Sequence, residues 1–479
     1  MSTISFHHLS ALQLDATLVF NLKYFTMKPT YKSLAVYLLV FSLLLSACTK
    51  FLETKPNQAL AVPRTLGDLQ AMLDTYYKLN NNDPGSSETS ADNYYLSDAD
   101  WGSLSEQERR LHTWQVDRVF PNYQNDWSNI YSTVYVANIV IDNVGTIEKN
   151  TSNQADWNNT KGSALVFRAR SFLQAAIIWI LPYDPATAET AMGVPLRMSQ
   201  DFNLPSTRST LKQTYTQILQ DLKEAADLLP ATPLHVMRPS KAAAYALLAR
   251  TYLAMGNYDS CFVYADNCLK IKNTLLNYNT LNPNSSYPIS QLNTEVIMEN
   301  LIGVPVSLSI NRAKIDSMLY ISYSANDLRK TIFFNSNGNG TYGFKGSYEG
   351  GGNLFSGVAT DEVYLMRAEA NAKLGNLAPA LADLNTLLQT RWKTGTYLPP
   401  VNLSASALLQ MIRTERRKEL MMRGLRWMDI KRLNTEGANI SLVRQLAGQT
   451  YTLPPNDLRF AIAIPEEIIR LSGIAQNPR

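Results

Sequence analysis

The chain has 479 residues, and its 44 lysines and arginines nearly balance its 40 aspartates and glutamates, leaving a formal net charge of +4. This balance excludes the clustered basic field that nucleic-acid binding requires. After residue 47 the chain has only two histidines, His112 and His235. Neither has a neighbour at metal-ligand spacing, so we expect no metal site, no cofactor and no catalytic motif.

The first predicted element is a secretion signal. Residues 27–47 begin with two lysines, continue with an apolar run over residues 34–45 and end in small residues before Cys48, which is signal-peptide anatomy. The run is shorter than the about 20 residues that a membrane-spanning helix needs. A buried core helix is disfavoured because nothing amphipathic flanks the run. Leu45-Ser46-Ala47-Cys48 reads as a lipobox, so we expect Cys48 to be lipidated and residues 1–26 to be an upstream extension outside the native protein.

Helical periodicity follows further along the chain. Apolar residues recur at three- and four-residue spacing over residues 127–141, 162–180 and 210–229, which predicts three core helices. Prolines after the second and third helices prevent their continuation. Between these two helices, residues 184–208 are rich in proline and glycine and read as a long loop.

Two later segments resemble each other. Residues 242–269 and 362–388 each read as helix, Gly-Asn, helix, with Gly256 and Gly375 in the left-handed turn that ends the first helix. Small residues let such paired helices approach closely, which is the logic of tetratricopeptide repeats. We therefore predict a mainly α fold, a helical scaffold with tetratricopeptide-like helix pairs interrupted by an insertion at residues 273–360.

Two long segments lack a helical pattern: residues 80–119 and the insertion at residues 273–360, which includes seven glycines between residues 335 and 352. Loops this long in a compact domain are usually functional or disordered. Their aromatic residues either fix the loop to the core or form stacking platforms for a ligand. The candidate ligand-binding residues are Asn93, Tyr94, Tyr95, Asp98, Trp101, Tyr342, Phe344 and Tyr348. Trp101 is the first candidate among them because no helical pattern places it on a buried face, whereas Trp114 and Trp127 are assigned to the core.

Charged residues of opposite sign share a helical face near the C-terminus. They are Glu415, Glu419, Arg423, Arg426 and Asp429. A catalytic interpretation would make the glutamates acid and base, but neighbouring arginines keep carboxylates ionised. We favour a partly buried ion-pair network that positions Trp427 and joins two helices at Gly424.

Several motifs occur in the order found in one known family. They are Cys48 with Phe51-Leu52-Glu53, Asp221-Leu222 before Leu228-Leu229-Pro230, Asp327-Leu328-Arg329, Ala368-Glu369-Ala370, the run E-R-x-x-E-L-x-x-R-G-x-R-W-x-D-x-x-R at 415–432, and Ile464-Pro465 before Gln476-Asn477-Pro478. Together they resemble the SusD/RagB family over residues 48–479, which implies a single SusD-like domain. The shared motifs belong to the scaffold, so the resemblance suggests binding regions and no individual binding residue.

The resemblance also implies a function. Members of the SusD/RagB family are surface-exposed outer-membrane lipoproteins of Bacteroidota that bind an oligosaccharide, or sometimes a peptide, and deliver it to a SusC-like TonB-dependent transporter. They are binding proteins and not enzymes. A glycan ligand and a peptide ligand both remain open for this chain. A third reading, an intracellular helical-repeat adaptor, leaves the lipobox unexplained.

Overall fold

The computed structural model of the protein describes residues 63–479. The predicted signal segment 27–47, the extension 1–26 and the lipidation residue Cys48 lie outside the described residues.

The helices are α1 (Leu66–Leu73), α2 (Tyr76–Leu79), α3 (Ser86–Ser90), α4 (Asp98–Gly102), α5 (Glu106–His112), α6 (Asp126–Val144), α7 (Gln154–Trp179), α8 (Leu211–Leu228), α9 (Lys241–Ala254), α10 (Tyr258–Ile271), α11 (Ser317–Ile321), α12 (Arg329–Ile332), α13 (Thr360–Lys373), α14 (Leu377–Arg391), α15 (Ala405–Glu419), α16 (Arg426–Thr435) and α17 (Glu466–Ser472). Within residues 63–479, none of these helices combines the length and apolar character that crossing a membrane requires.

The strands are short and pair into antiparallel two-stranded ribbons. The pairs are β1 (Tyr94–Tyr95) with β6 (Lys314–Ile315), β2 (Met192–Pro195) with β3 (Arg208–Thr210), β4 (Val296–Met298) with β10 (Val358–Ala359), β5 (Leu301–Ile302) with β9 (Leu354–Phe355), β7 (Phe334–Ser336) with β8 (Tyr342–Phe344), and β11 (Leu442–Leu446) with β12 (Gln449–Leu453). The mainly α fold predicted from the sequence is confirmed.

The long helices form a side-by-side array. Helices α6 to α10 pack against one another in chain order, α13 packs against α10, and α14 packs against α13. We call these seven helices the helical array. The three helices predicted from periodicity are α6, α7 and α8, although α7 begins at Gln154 rather than Gly162. A capping box at Thr210, whose hydroxyl accepts from the Gln213 amide, fixes the start of α8.

The two Gly-Asn segments fold as the predicted helix pairs. Gly256 (φ +69°) ends α9, and Gly375 (φ +83°) follows α13; a side chain would be strained at either position. Fully buried alanines at 249, 265, 368 and 380 let the helices approach closely. Because α10 packs against α13, the two pairs are adjacent in space even though the insertion separates them in sequence.

Two segments interpreted as irregular hold more secondary structure than expected. Residues 80–119 contain α3, β1, α4 and α5, and residues 184–208 contain β2. Trp101 therefore lies on a short helix, which corrects the prediction that it has no helical register. The short helices are stabilised by side-chain caps, with the Ser97 hydroxyl accepting from the Asp100 amide and Ser105 forming a capping box with Glu108. Elements of one or two turns are too short to produce an apolar period.

A second hydrophobic core lies beside the array. It includes Tyr94, Ile315, Phe333 and Phe355. Most of its residues come from two stretches, 94–104 and 278–359, and we call these two stretches together the ribbon lobe. The β1–β6 pairing connects the two stretches. The early segment and the insertion, which the sequence singled out separately, thus fold together.

The charged run near the C-terminus forms a buried ion-pair network, as predicted, but its partners differ from those expected. Helix α15 ends at Glu419, and left-handed backbone at Met422 (φ +59°) and Gly424 (φ +73°) redirects the chain. Arg423 therefore leaves the helical face that carries Glu415 and Glu419. The observed pairs are Glu419 with Arg329 and Arg391, Glu415 with Arg329 and Lys418, Arg423 with Asp361, Arg426 with Asp92, and Asp429 with Arg416 and Arg432. Trp427 is fully buried.

Candidate ligand-binding cleft

Strand β1 separates two neighbouring tyrosines of the early segment. Tyr94 lies opposite Ile315 and Tyr95 opposite Lys314. Successive side chains of a strand point to opposite faces, so Tyr94 is buried while Tyr95 is 38% exposed. The structure therefore offers the ring of Tyr95, and not that of Tyr94, to solvent.

A cleft with a volume of about 410 Å³ lies between β1 and β11. Its rim carries polar side chains from four separate stretches of the chain, and these include Asp92, Tyr95, Asp316, Arg417 and Gln445. An exposed aromatic ring beside fixed polar groups can stack on the apolar face of a ligand and bond its hydroxyl groups.

Ion pairs fix the acidic side of the rim. Arg426 contacts both carboxylate oxygens of Asp92, with Nε 2.7 Å from Oδ1 and Nη2 2.9 Å from Oδ2, and Arg417 Nη2 lies 3.3 Å from Oδ2. Burial alone would raise the pKa of Asp92, but these two arginines outweigh it and hold that pKa below its ordinary value. Asp316 accepts from the Leu319 amide at 2.8 Å, as the N-cap of α11. Both carboxylates are thus held in fixed positions.

The floor of the cleft is aromatic and basic. The Tyr94 hydroxyl donates to the Thr89 carbonyl at 2.9 Å and lies 3.0 Å from His112 Nδ1; burial raises the pKa of Tyr94 to about 12. The Arg444 guanidinium lies over the rings of Tyr94 and Trp114, 5.4 and 4.7 Å from their centroids. Burial lowers the pKa of Arg444 to about 10, so the group is a cation at neutral pH.

Two candidate residues predicted from the sequence have no surface to offer a ligand. Asn93 is fully buried and donates to Glu88 Oε1 at 2.9 Å. Tyr348 is also buried, and its hydroxyl donates to Glu295 Oε2 at 2.8 Å within a polar network of the core. Tyr94 and Tyr348 belong to the core of the ribbon lobe, and all three side chains make their hydrogen bonds inside the protein.

Trp101 and Asp98 lie beside the β11–β12 hairpin. The Trp101 ring is half-buried against Tyr451, with centroids 6.3 Å apart, and its Nε1 donates to the Arg109 carbonyl at 3.4 Å. The exposed Asp98 accepts from the Ala447 amide at 2.9 Å. Part of the Trp101 ring remains accessible, and its role in ligand binding stays a prediction.

Tyr342 and Phe344 lie on strand β8, which packs beside β6. Tyr342 is half-buried and stacks on Tyr320, with ring centroids 3.6 Å apart and an interplanar angle of 15°. Phe344 packs edge-on against Phe333. These rings form a second aromatic surface next to β6, whereas the cleft itself is lined by Tyr94 and Tyr95 alone among the predicted residues.

Sequence reasoning missed most of the cleft. Asp316, Arg417, Arg444 and Gln445 come from segments far from β1, and nothing in their local sequence places them together. Arg444 did leave a signal, since the alternation of Leu442, Arg444 and Leu446 puts a charged residue on the buried face of a strand. Within residues 63–479, no cluster of side chains could hold a metal ion.

Comparisons with known proteins give a consistent result. Residues 50–253 match a family model described as starch-binding and associating with the outer membrane, of the SusD-like type, and residues 361–460 match the model of the SusD family. No curated protein shows significant similarity to the chain.

Solved structures share the fold. A SusD superfamily protein from Bacteroides thetaiotaomicron is 22% identical, with a TM-score of 0.70 over 87% of this chain and 100% of that chain. A SusD-like carbohydrate binding protein from Bacteroides vulgatus is 20% identical, with a TM-score of 0.61 over 81% and 89%. A laminarin-binding SusD-like protein is 18% identical, with a TM-score of 0.63 over 86% and 97%. At these identities the likeness establishes the fold.

Proposed function

The chain belongs to the SusD/RagB family, and we propose that it is a surface-exposed outer-membrane lipoprotein that binds an oligosaccharide and delivers it to a SusC-like TonB-dependent transporter. The matched family description, starch-binding and associating with the outer membrane, supports this role. So does the laminarin binding of one structural neighbour, which is a property of that protein.

The cleft between β1 and β11 is the observation that carries the proposal. Sugar rings have an apolar face and a periphery of hydroxyl groups, so a binding site needs an exposed ring with fixed donors and acceptors around it. Tyr95 supplies the ring, and Asp316, Arg417 and Gln445 supply polar groups. Trp101 and Tyr342 do not line the cleft, and we infer that they contact only a longer ligand.

The proposed role requires binding and no catalysis. A glycosidase needs two free carboxyl groups, one of them protonated at neutral pH. At this cleft, arginines keep Asp92 ionised, and Asp316 is engaged as a helix cap. The rim therefore holds hydrogen-bonding groups in place without an acid–base pair.

Calorimetric titration of the protein with oligosaccharides tests the ligand class. Neutral β-glucan fragments such as laminarin oligosaccharides, acidic oligosaccharides and tripeptides form the panel. We expect a saccharide to bind. Binding of the peptides alone would favour the peptide-binding alternative within the family, and binding of neither class would contradict the role of the cleft.

The lipid anchor has its own test. We propose that Cys48 is the lipidated first residue of a domain spanning residues 48–479, after removal of the signal at 27–47. Each buried methylene of an acyl chain contributes about 0.8 kcal/mol to membrane attachment. Cys48→Ser should move the protein from the membrane fraction to the soluble fraction or stop its processing. A variant that stays membrane-bound at the normal mass would contradict the anchor.

A further inference from the structure

One buried arginine of residues 63–479 lacks the carboxylate partner that the other buried arginines have. Nine are buried, and eight of these have a carboxylate oxygen no more than 2.9 Å away. The eight are Arg168, Arg170, Arg250, Arg329, Arg391, Arg416, Arg423 and Arg432. The ninth, Arg444, has no carboxylate partner within the part of the chain that the structure describes. It is the buried arginine that lines the cleft.

The protein compensates the charge of Arg444 only in part. Its Nη2 donates to the carbonyls of Thr89 and Ala91, at 3.1 and 2.7 Å, and two aromatic rings lie beneath the guanidinium. Its Nη1 has no hydrogen-bond partner among the described residues. A buried charge without a counter-ion is unfavourable, so this arrangement suits an anion supplied from outside the fold.

Other buried polar atoms in the lining of the cleft, or in the residues directly behind it, are also without partners among the described residues. Within residues 63–479, His112 Nε2, Thr89 Oγ1 and Ser90 Oγ are buried and make no hydrogen bond. His112 and Trp114 both line the cleft, and Trp114 adopts left-handed backbone with φ +54°. Such strain in a bulky residue is uncommon and concentrates at ligand sites. These observations are independent of the arginine and mark the same place.

The acidic residues of the rim do not rule out an anionic ligand. Asp92 is neutralised by Arg426 and Arg417, and Asp316 lies 3.8 Å from Arg417. The charged groups that line the cleft are the carboxylates of Asp92 and Asp316 and the guanidiniums of Arg417 and Arg444. Both carboxylates are paired with arginines other than Arg444, so neither forms an ion pair with it.

We propose that the cleft recognises an acidic sugar, with the carboxylate of a uronic acid residue bound by Arg444. A carboxylate accepts the free N–H donors of a guanidinium with favourable geometry. The sugar ring lies against Tyr95, and the rim residues bond its hydroxyl groups. This inference rests on the proposed function, because it names the class of oligosaccharide that the family role leaves open.

The test compares sugars that carry a carboxylate with counterparts in which the carboxylate is absent or esterified. The wild-type protein is titrated with D-glucuronate and D-glucose at equal ionic strength, with oligogalacturonate and its methyl ester, and with oligomannuronate. We expect at least one uronate to bind at least tenfold more tightly than its uncharged counterpart. Acetate serves to identify a general anion site, and a tripeptide with a free carboxylate tests the other ligand class.

Arg444→Gln and Arg470→Gln form a matched pair of variants. Both remove one positive charge, but Arg470 is largely exposed on α17 and pairs with Glu467. We expect Arg444→Gln to weaken uronate binding at least tenfold, while Arg470→Gln leaves it unchanged. Arg444→Lys keeps the charge and should retain part of the affinity if the glutamine variant fails to fold.

Several outcomes would overturn the inference. Equal affinity for charged and uncharged sugars, or full uronate affinity in Arg444→Gln, would show that Arg444 serves the fold alone. Acetate binding as tight as uronate would show a general anion site, and peptide binding without uronate binding would assign the cleft to a peptide. Either of these results would also overturn the inference. If neutral oligosaccharides still bind, the proposed function survives. If no saccharide binds the wild-type protein, both ideas fail.

Discussion

Glu369 of the helical array and Glu299 of the ribbon lobe are equally inaccessible to solvent, yet the pKa values of their carboxyl groups are shifted in opposite directions. Burial opposes ionisation of both. For Glu369, arginines outweigh burial and lower the pKa to about 2, and Arg432 contacts both oxygens at 2.8 Å. Glu299 accepts from Gln291 at 3.1 Å, and burial raises its pKa to about 7.

This contrast extends beyond one pair of glutamates. Around the array and the charged run near the C-terminus, buried carboxylates and arginines neutralise one another. Buried pairs also tie the ribbon lobe to this run, through Arg329 with Asp327 and through Glu295 with Arg391. Glu299 and Arg444 are different, because neither of these buried charged side chains has an oppositely charged partner within residues 63–479. Arg444 lines the cleft where we place the ligand.

The largest expected effect is on stability, from Glu369→Gln. The change removes the carboxylate that Arg432 and Arg413 share, and breaking a buried pair costs about 3–5 kcal/mol. We expect the lower end of this range, because Arg432 keeps Asp429 and Arg413 keeps Glu436 as partners. Urea unfolding at pH 7 measures the loss. Because the pKa of Glu369 is lowered in the folded state, its contribution is present above the unfolded pKa of about 4.3 and is lost as the pH falls toward about 2.

Glu467→Gln is the control for this prediction. Glu467 pairs with Arg470 on the surface of α17, and surface pairs contribute little. We expect its unfolding curve to match that of the wild type. If Glu369→Gln were equally harmless, the array would not depend on its paired charges, and the contrast between the two regions would disappear.

The next largest effect has the opposite sign. The pKa of Glu299 is raised in the folded state, so the folded protein binds a proton more tightly and loses stability as the pH rises from about 4.3 through about 7. Glu299→Gln removes this dependence. We expect the variant to be more stable than the wild type at pH 8, by up to about 3 kcal/mol, and similar to it at pH 4. A glutamine variant that is less stable at pH 8 would contradict this.

The same contrast explains how much of the fold the sequence could predict. Helices of the array are long enough for a 3.6-residue period to appear, so α6, α7 and α8 were evident. Ribbons of two or three residues in the ribbon lobe, such as β1 and β6, have no period to detect. Their pairing depends on contacts between residues more than 200 positions apart.

Individual partners were harder to predict than burial. The arginine at 423 was expected to share a face with Glu419, but it contacts Asp361 because the chain turns after α15. Of the residues that line the cleft, only Tyr94 and Tyr95 were predicted from the sequence. The others come together only through tertiary packing. A sequence reveals which residues are buried more readily than which residues meet.

In the ribbon lobe the expected effects are on binding. Tyr95→Ala removes the exposed ring at the cleft, and aromatic contacts of this kind contribute about 0.5–1.5 kcal/mol beyond burial. We expect affinity for the bound oligosaccharide to fall about tenfold in calorimetry, which corresponds to about 1.4 kcal/mol. Tyr123→Ala is the control, because Tyr123 is 77% exposed and does not line the cleft. Equal losses of affinity in both variants would show that the cleft is not the binding site.

Trp101→Ala should have the smallest effect of the series. One part of the indole already packs on Tyr451, and Arg109 lies 5.8 Å from its centroid, so only the remaining surface can contact a ligand. We expect a folded variant whose affinity falls about two- to threefold, or about 0.5 kcal/mol, in the titration used for Tyr95→Ala. Unchanged affinity would mean that Trp101 only fastens α4 to the β11–β12 hairpin, and Tyr342 would be tested next. A loss larger than that of Tyr95→Ala would instead shift the centre of the site from the cleft to α4.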